Sequence, residues 1–88
     1  MPSYELRFAA SAERMLARLP EFAAAAIVEF VTGPLLESPH QVGKPLGLEL
    51  DGYYSARRGA YRVIYRIEDE NVVRVVRVDH RADVYRPR

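Results

Sequence analysis

Tyr4, Leu6 and Phe8 alternate with Glu5 and Arg7, and this period of two predicts a half-buried strand near the start of the chain. The period then lengthens. Ser11 is placed to cap a short helix over about 12–18, with Met15 and Leu16 turned inward. Pro20 suits the first turn of a second helix, whose apolar positions Ala23, Ala26, Ile27 and Phe30 recur three and four apart. Gly33-Pro34 ends or kinks that helix, and the short link between the two helices predicts an antiparallel hairpin. From 37 to 52 the pattern lapses. Pro39, Gly43, Pro45, Gly47 and Gly52 punctuate a loop-like stretch, in which a brief strand near Leu48–Leu50 is the one regular element indicated.

Period two returns after residue 52. A strand is predicted over about 53–58, a turn at Gly59, and a second strand over about 61–68. That second strand puts Tyr61, Val63, Tyr65 and Ile67 on one face and Arg62, Ile64 and Arg66 on the other. Asp69-Glu70-Asn71 makes the next turn. A third strand over about 72–79 is valine-rich enough to lie inside a sheet. Its Arg74 and Arg77 are expected on opposite faces, so that they cannot both line one site. The tail, 80–88, is polar and basic. The order β-α-α-β-β-β defines an α+β layer architecture: a two-helix hairpin on a mostly antiparallel four-stranded sheet, with the first strand inserted into or bordering it.

Length and composition narrow the class. Eighty-eight residues make one domain, 1–88, and a chain of this size buries only roughly 60% of its unfolded surface. There is no cysteine for a disulfide or a zinc site, which fits a reducing cytosol. No secretion signal opens the chain, and no apolar run approaches the roughly 20 residues that span a membrane, so a soluble, cytoplasmic protein is expected. The net charge of +1 hides an asymmetry. Residues 1–56 carry four basic and seven acidic side chains, a balance of −3, and residues 57–88 carry nine basic and five acidic, a balance of +4. Lys44 is the only lysine. Arginine is the better bidentate ligand for phosphate, so an arginine-rich half points to nucleic acid; the codon usage of a GC-rich genome gives the same composition.

Three segments could carry chemistry: Arg57-Arg58-Gly59-Ala60-Tyr61-Arg62-Val63-Ile64-Tyr65; Val78-Asp79-His80-Arg81 followed by Asp83-Val84-Tyr85; and Gly43-Lys44-Pro45-Leu46. Cleavage of RNA through its own 2′-hydroxyl needs a base for that proton, an acid for the leaving 5′-oxygen, and positive charge on the transition state. Arginine stays protonated, so Arg62 and Arg81 suit only the third task. Histidine is the side chain suited to taking and giving protons, which makes His80 a candidate for that task. Tyr85 can donate a proton or stack on a base, and Arg57, Arg58 and Lys44 can hold phosphate. Each also has a plainer role: a sheet-surface ion pair for Arg62, a cap for His80, a tail anchor for Tyr85, a charged hairpin end for Arg57 and Arg58, and simple solvation for Lys44. Arg86 and Arg88 add general attraction to phosphate. His40 and His80 are the only histidines and no metal-ligand spacing occurs. No glycine-rich nucleotide loop occurs either, so neither a metal nor a cofactor is expected.

These motifs resemble the RelE/ParE toxin superfamily. Its members carry a glycine turn, an aromatic-Arg-Val-hydrophobic-Tyr strand, a C-terminal His-Arg or Lys-Arg step and a final Val-Tyr pair, and the resemblance covers nearly the whole chain. It implies the microbial-RNase-like RelE fold and the toxin of a type II toxin–antitoxin module. It further implies a metal-independent endoribonuclease (an mRNA interferase) that cleaves messenger RNA in the ribosomal decoding site. By motif, the family's catalytic arginines and tyrosine fall on Arg62, Arg81 and Tyr85. The best-known members also use lysines on the strand before the glycine turn. Here that strand reads Tyr53-Tyr54-Ser55-Ala56-Arg57-Arg58, without lysine, which leaves His80 as the leading substitute for the general base.

The resemblance also implies partners: the ribosome with its mRNA, and a cognate antitoxin, RelB-like or of another type II class. The antitoxin is expected on the helix hairpin and the sheet, with acidic residues near Arg62 or Arg81. The alternatives are a ParE-like toxin that poisons DNA gyrase without RNase activity, and a degenerate toxin that keeps only antitoxin binding.

Overall fold

The alternating residues read from the sequence form one five-stranded sheet in a computed structural model that describes residues 4–47, 52–69 and 71–80. The strands are β1 (Glu5–Phe8), β2 (Lys44–Leu46), β3 (Tyr53–Arg58), β4 (Tyr61–Glu68) and β5 (Val72–His80). Their order across the sheet is β1-β5-β4-β3-β2. β1 runs parallel to β5 at one edge, and the other pairings are antiparallel. Between β1 and β2 lie α1 (Ala10–Ala17), α2 (Glu21–Thr32), α3 (Pro34–Glu37) and α4 (Pro39–Val42). No described helix is long and apolar enough to cross a membrane.

The helices cover one face of the sheet. Ala12, Ile27, Val31 and Leu35 from the helices and Ala56, Val63, Tyr65, Val73, Val75 and Val78 from the strands form one buried cluster. Burial of each large aliphatic side chain contributes about 1.5–3 kcal/mol. The face of β4 predicted to be apolar is the face that packs on the helices. Gly59 at φ 62° supplies the left-handed position that the tight β3–β4 hairpin needs.

Several expectations change, and one lies outside the described residues. The sheet has five strands rather than four. The added β2 is three residues long with Pro45 at its centre, which hides it from any period-two test and suits an edge strand. The brief strand expected near 48–50 lies outside the described residues. Gly33-Pro34 does end the long helix, but Pro34 and Pro39 each start a further single turn, because proline's fixed φ and missing N–H fit a helix start.

Ser11 is not the N-cap of α1, since the helix begins one residue before it and Ala9 holds the cap position. The Ser11 hydroxyl donates instead to the Val76 carbonyl at 2.8 Å. Val76 is the extra residue of a β-bulge: Ile64 pairs with Arg77, whereas Tyr65 pairs with Val75. The bulge shifts the phase of β5, so Val73, Val75 and Val78 are all buried although the last step is three residues. For the same reason Arg74 and Arg77 share one face, against the expectation of opposite faces. Arg74 stands across from Arg66 and Arg77 across from Ile64, and those two positions of β4 face the same way.

A cationic hollow on the open face of the sheet

The ladder register defines what the open face presents. Across β3–β4, Arg57 pairs with Arg62 and Ser55 with Ile64. Across β2–β3, Lys44 pairs with Ser55. Directly paired residues project to the same side, so Lys44, Ser55, Arg57 and Arg62 stand together on the face turned away from the helices. They line a hollow of about 670 Å³ together with Val42, Pro45, Leu46 and Ala56.

Carboxylates on this face are taken up elsewhere. Glu68 accepts from Arg66 Nε at 2.6 Å and from Arg74 Nε at 2.9 Å. Arg66 also donates to the Tyr53 hydroxyl at 3.0 Å and lies over its ring. Asp79, the partner of Arg62 in register, is bound by Arg77 at 2.7 Å, and Glu5 pairs with Arg7. The Arg74 hydrogen bond, joined by that of Arg66, holds the Glu68 carboxyl below its usual range. The hydrogen bond from Arg66 to Glu68, with that to Tyr53, raises the pKa of Arg66. Among the described residues no carboxylate forms an ion pair with Lys44, Arg57 or Arg62. A concave cationic surface of this kind can concentrate an anion.

The other predicted site residues stand apart. Arg58 follows Arg57 on β3 and therefore points to the opposite side. It lines a separate hollow of about 450 Å³ with Glu29, Phe30 and Pro34. His80 ends β5 directly across from Tyr61, with the two rings edge to face at 5.1 Å. That register gives His80 the side of Tyr61, whereas its neighbour Asp79 shares the side of Arg62. Arg81 and Tyr85 lie outside the described residues. The described lining of the hollow holds three cations and a hydroxyl but no imidazole or carboxylate. This part of the site is therefore built to bind and stabilise negative charge rather than to move protons. Among the described residues, no three His, Cys, Asp or Glu side chains gather as a metal ion would require.

One aromatic arrangement beneath the hollow was not legible in the sequence. Tyr65, fully buried in β4, donates its hydroxyl proton to the Pro39 carbonyl at 2.6 Å. Burial pushes its pKa up to about 12 against a smaller opposing pull from the Gly43 backbone amide. Tyr54 stacks on its ring at 5.5 Å between centroids, and the Tyr54 hydroxyl meets His40 Nδ1 at 3.2 Å. These contacts join α4 to β3 and β4, and no local spacing announces them. Ser55 was accessible to inference, because it sits two residues before Arg57 on a strand.

Known proteins share this chain's sequence and fold. Residues 6–85 match the family described as the ParE toxin of type II toxin–antitoxin systems. Toxin RelG of Mycobacterium tuberculosis is 55% identical over 84 residues, which are 94% of this chain and 97% of RelG. Toxin RelE of the same organism is 51% identical over 94% of this chain and 87% of its own length. The crystal structure of the toxin–antitoxin complex RelBE2 from M. tuberculosis contains a chain that superposes with a TM-score of 0.84 at 52% identity. That match covers 89% of this chain and 98% of the other. With the family matched over almost its entire length and two toxins more than half identical to it, the chain belongs to the RelE/ParE superfamily of type II toxin–antitoxin toxins.

Proposed function

We propose that this toxin is a ribosome-dependent, metal-independent endoribonuclease that cleaves messenger RNA in the decoding site and is neutralised in the cytoplasm by a cognate antitoxin. The observation that carries the reading is the cluster of Lys44, Arg57 and Arg62 on one open sheet face, with the described carboxylates Glu68 and Asp79 of that face paired to other arginines. Such a cluster holds phosphate and stabilises charge developing on a phosphorane-like transition state. Arg62 supplies the central charge, with Arg57 and Lys44 holding the flanking backbone. Arg81 would add charge to the transition state and Tyr85 a proton or a stacking face for a base; His80, which the register turns to the side of Tyr61, takes no part in the hollow itself. The similarity to toxins named RelE and RelG supports this activity over gyrase poisoning.

The antitoxin partner is supported by the RelBE2 toxin–antitoxin complex among the structural relatives. Its acidic residues lie over the hollow, and the rest of its segment contacts the helices and the sheet. The test is direct. Purified ribosomes programmed with mRNA are incubated with the toxin, and the cut sites are mapped by primer extension. Cleavage in the decoding site that disappears in Arg62→Ala supports the proposal. Intact mRNA together with gyrase-linked DNA breaks overturns it in favour of a ParE-like action, and induced expression without growth arrest indicates a degenerate toxin.

A further inference from the structure

The hollow depends on where β2 puts Lys44, yet β2 is a weak strand. It has three residues, a proline in the middle and an edge position, so its own ladder offers few hydrogen bonds. Something else holds it in place. Immediately before Lys44, the buried Gly43 lies against the Tyr65 ring. A Cβ at Gly43 would stand 2.4 Å from the Tyr65 hydroxyl oxygen and 3.0 Å from Cε1 and Cζ. The backbone there is ordinary extended chain, φ −97° and ψ 171°, which any residue adopts. Glycine is therefore required at 43 by the close approach and not by its dihedral angles. The Tyr65 hydroxyl also grips the start of α4 through the Pro39 carbonyl. The ring cannot swing aside, because Tyr54 is stacked on it and the residue is fully buried in the core.

We infer that the contact between Tyr65 and Gly43 is a positioning device for the cationic hollow: it sets where Lys44 stands beside Arg57 and Arg62. The inference rests on the reading of the hollow as an RNA-phosphate site. Tyr65 and Gly43 touch no substrate. They act through Lys44, and the buried tyrosine conveys the geometry of the core to an exposed edge strand.

The experiment uses Gly43→Ala, Lys44→Ala, the double variant of these two, Arg62→Ala, and Gly43→Ala combined with Tyr65→Phe. Each is measured for affinity to a short single-stranded RNA as a function of salt, and for hydrogen exchange of the β2 and β3 amides. One lost phosphate contact lowers the slope of log affinity against log salt by about 0.7–1. Lys44→Ala and Gly43→Ala are each expected to show that drop, with affinity reduced about threefold to tenfold at low salt. The double variant should lose no more than either single one. Tyr65→Phe, which removes the clashing oxygen, should restore part of the slope to Gly43→Ala. A purely structural role for Gly43 lowers the fraction of folded protein without altering the slope. An unchanged slope in Gly43→Ala beside a reduced one in Lys44→Ala, or additive losses in the double variant, overturns the inference. If Lys44→Ala and Arg62→Ala both bind as the parent does, the phosphate reading fails and the functional role of the contact with it. In that case the exchange rates separately report whether Gly43 holds β2 in place.

Discussion

Arg57 and Arg62 face each other directly across the β3–β4 ladder, on the side of the sheet away from the helices. Like charges in that relation destabilise a sheet by roughly 0.2–1 kcal/mol, and no described carboxylate lies in an ion pair with either. A fold selected only for stability would not keep the pair. Arg62→Thr is therefore expected to leave the unfolding free energy from urea titration unchanged or raised by about a few tenths of a kcal/mol. The same substitution should reduce RNA cleavage by at least about tenfold. Loss of stability together with activity would show that Arg62 serves the sheet instead.

Ser11 closes the bulge in β5 by donating to the Val76 carbonyl. In Ser11→Ala that partly buried acceptor loses its partner, at a cost of about 1–3 kcal/mol. Chemical denaturation should show a lower midpoint with the same slope. Because the bulge also sets the facing of Arg74 and Arg77, their amide resonances are expected to shift.

Glu68 links the acid limb of stability to the arginine network. Its carboxyl is held below the usual value of 4.5, so the folded state binds this proton less readily than the unfolded state does. The stabilisation is present above that value and is lost as pH falls through the lower folded-state pKa. Glu68→Gln should flatten this part of a pH titration of the melting temperature and leave the neutral-to-alkaline part unchanged.

Tyr65 acts at the other end of the scale. With its folded-state pKa raised from 10.0 to about 12, the folded state holds the proton more tightly. Its contribution is complete below pH 10 and is lost as pH rises toward about 12. Tyr65→Phe should remove this alkaline loss, and tyrosinate absorbance recorded alongside melting temperature checks it.

Leu35 is fully buried where α3 meets the core. Leu35→Ala is expected to cost about 2–5 kcal/mol, a large part of the stability of so small a chain. Thermal melting of the free toxin provides the measurement.

The helices, the three long strands and the apolar face of β4 were legible from period and punctuation. Those signals are local: a side chain two, three or four positions along the chain decides which face is wet. Arg62, Arg57 and Lys44 were singled out from residue chemistry and motif, and the ladder register is what places them around one hollow. The same register separates Arg58 and His80 from that hollow, because neighbours on a strand point to opposite sides and the bulge at Val76 shifts the phase by one. A single inserted residue has no mark in a valine-rich run, so the facing of Arg74 and Arg77 could not be read in advance. The strand at Lys44–Leu46 and the need for glycine at 43 were equally hidden. Both arise from contacts between residues some twenty positions apart, Gly43 with Tyr65 and Pro39 with Tyr65, and such contacts exist only once the chain has packed. Periodicity specifies the faces of single elements, whereas the meeting of cations from three strands is a property of their alignment in the folded sheet.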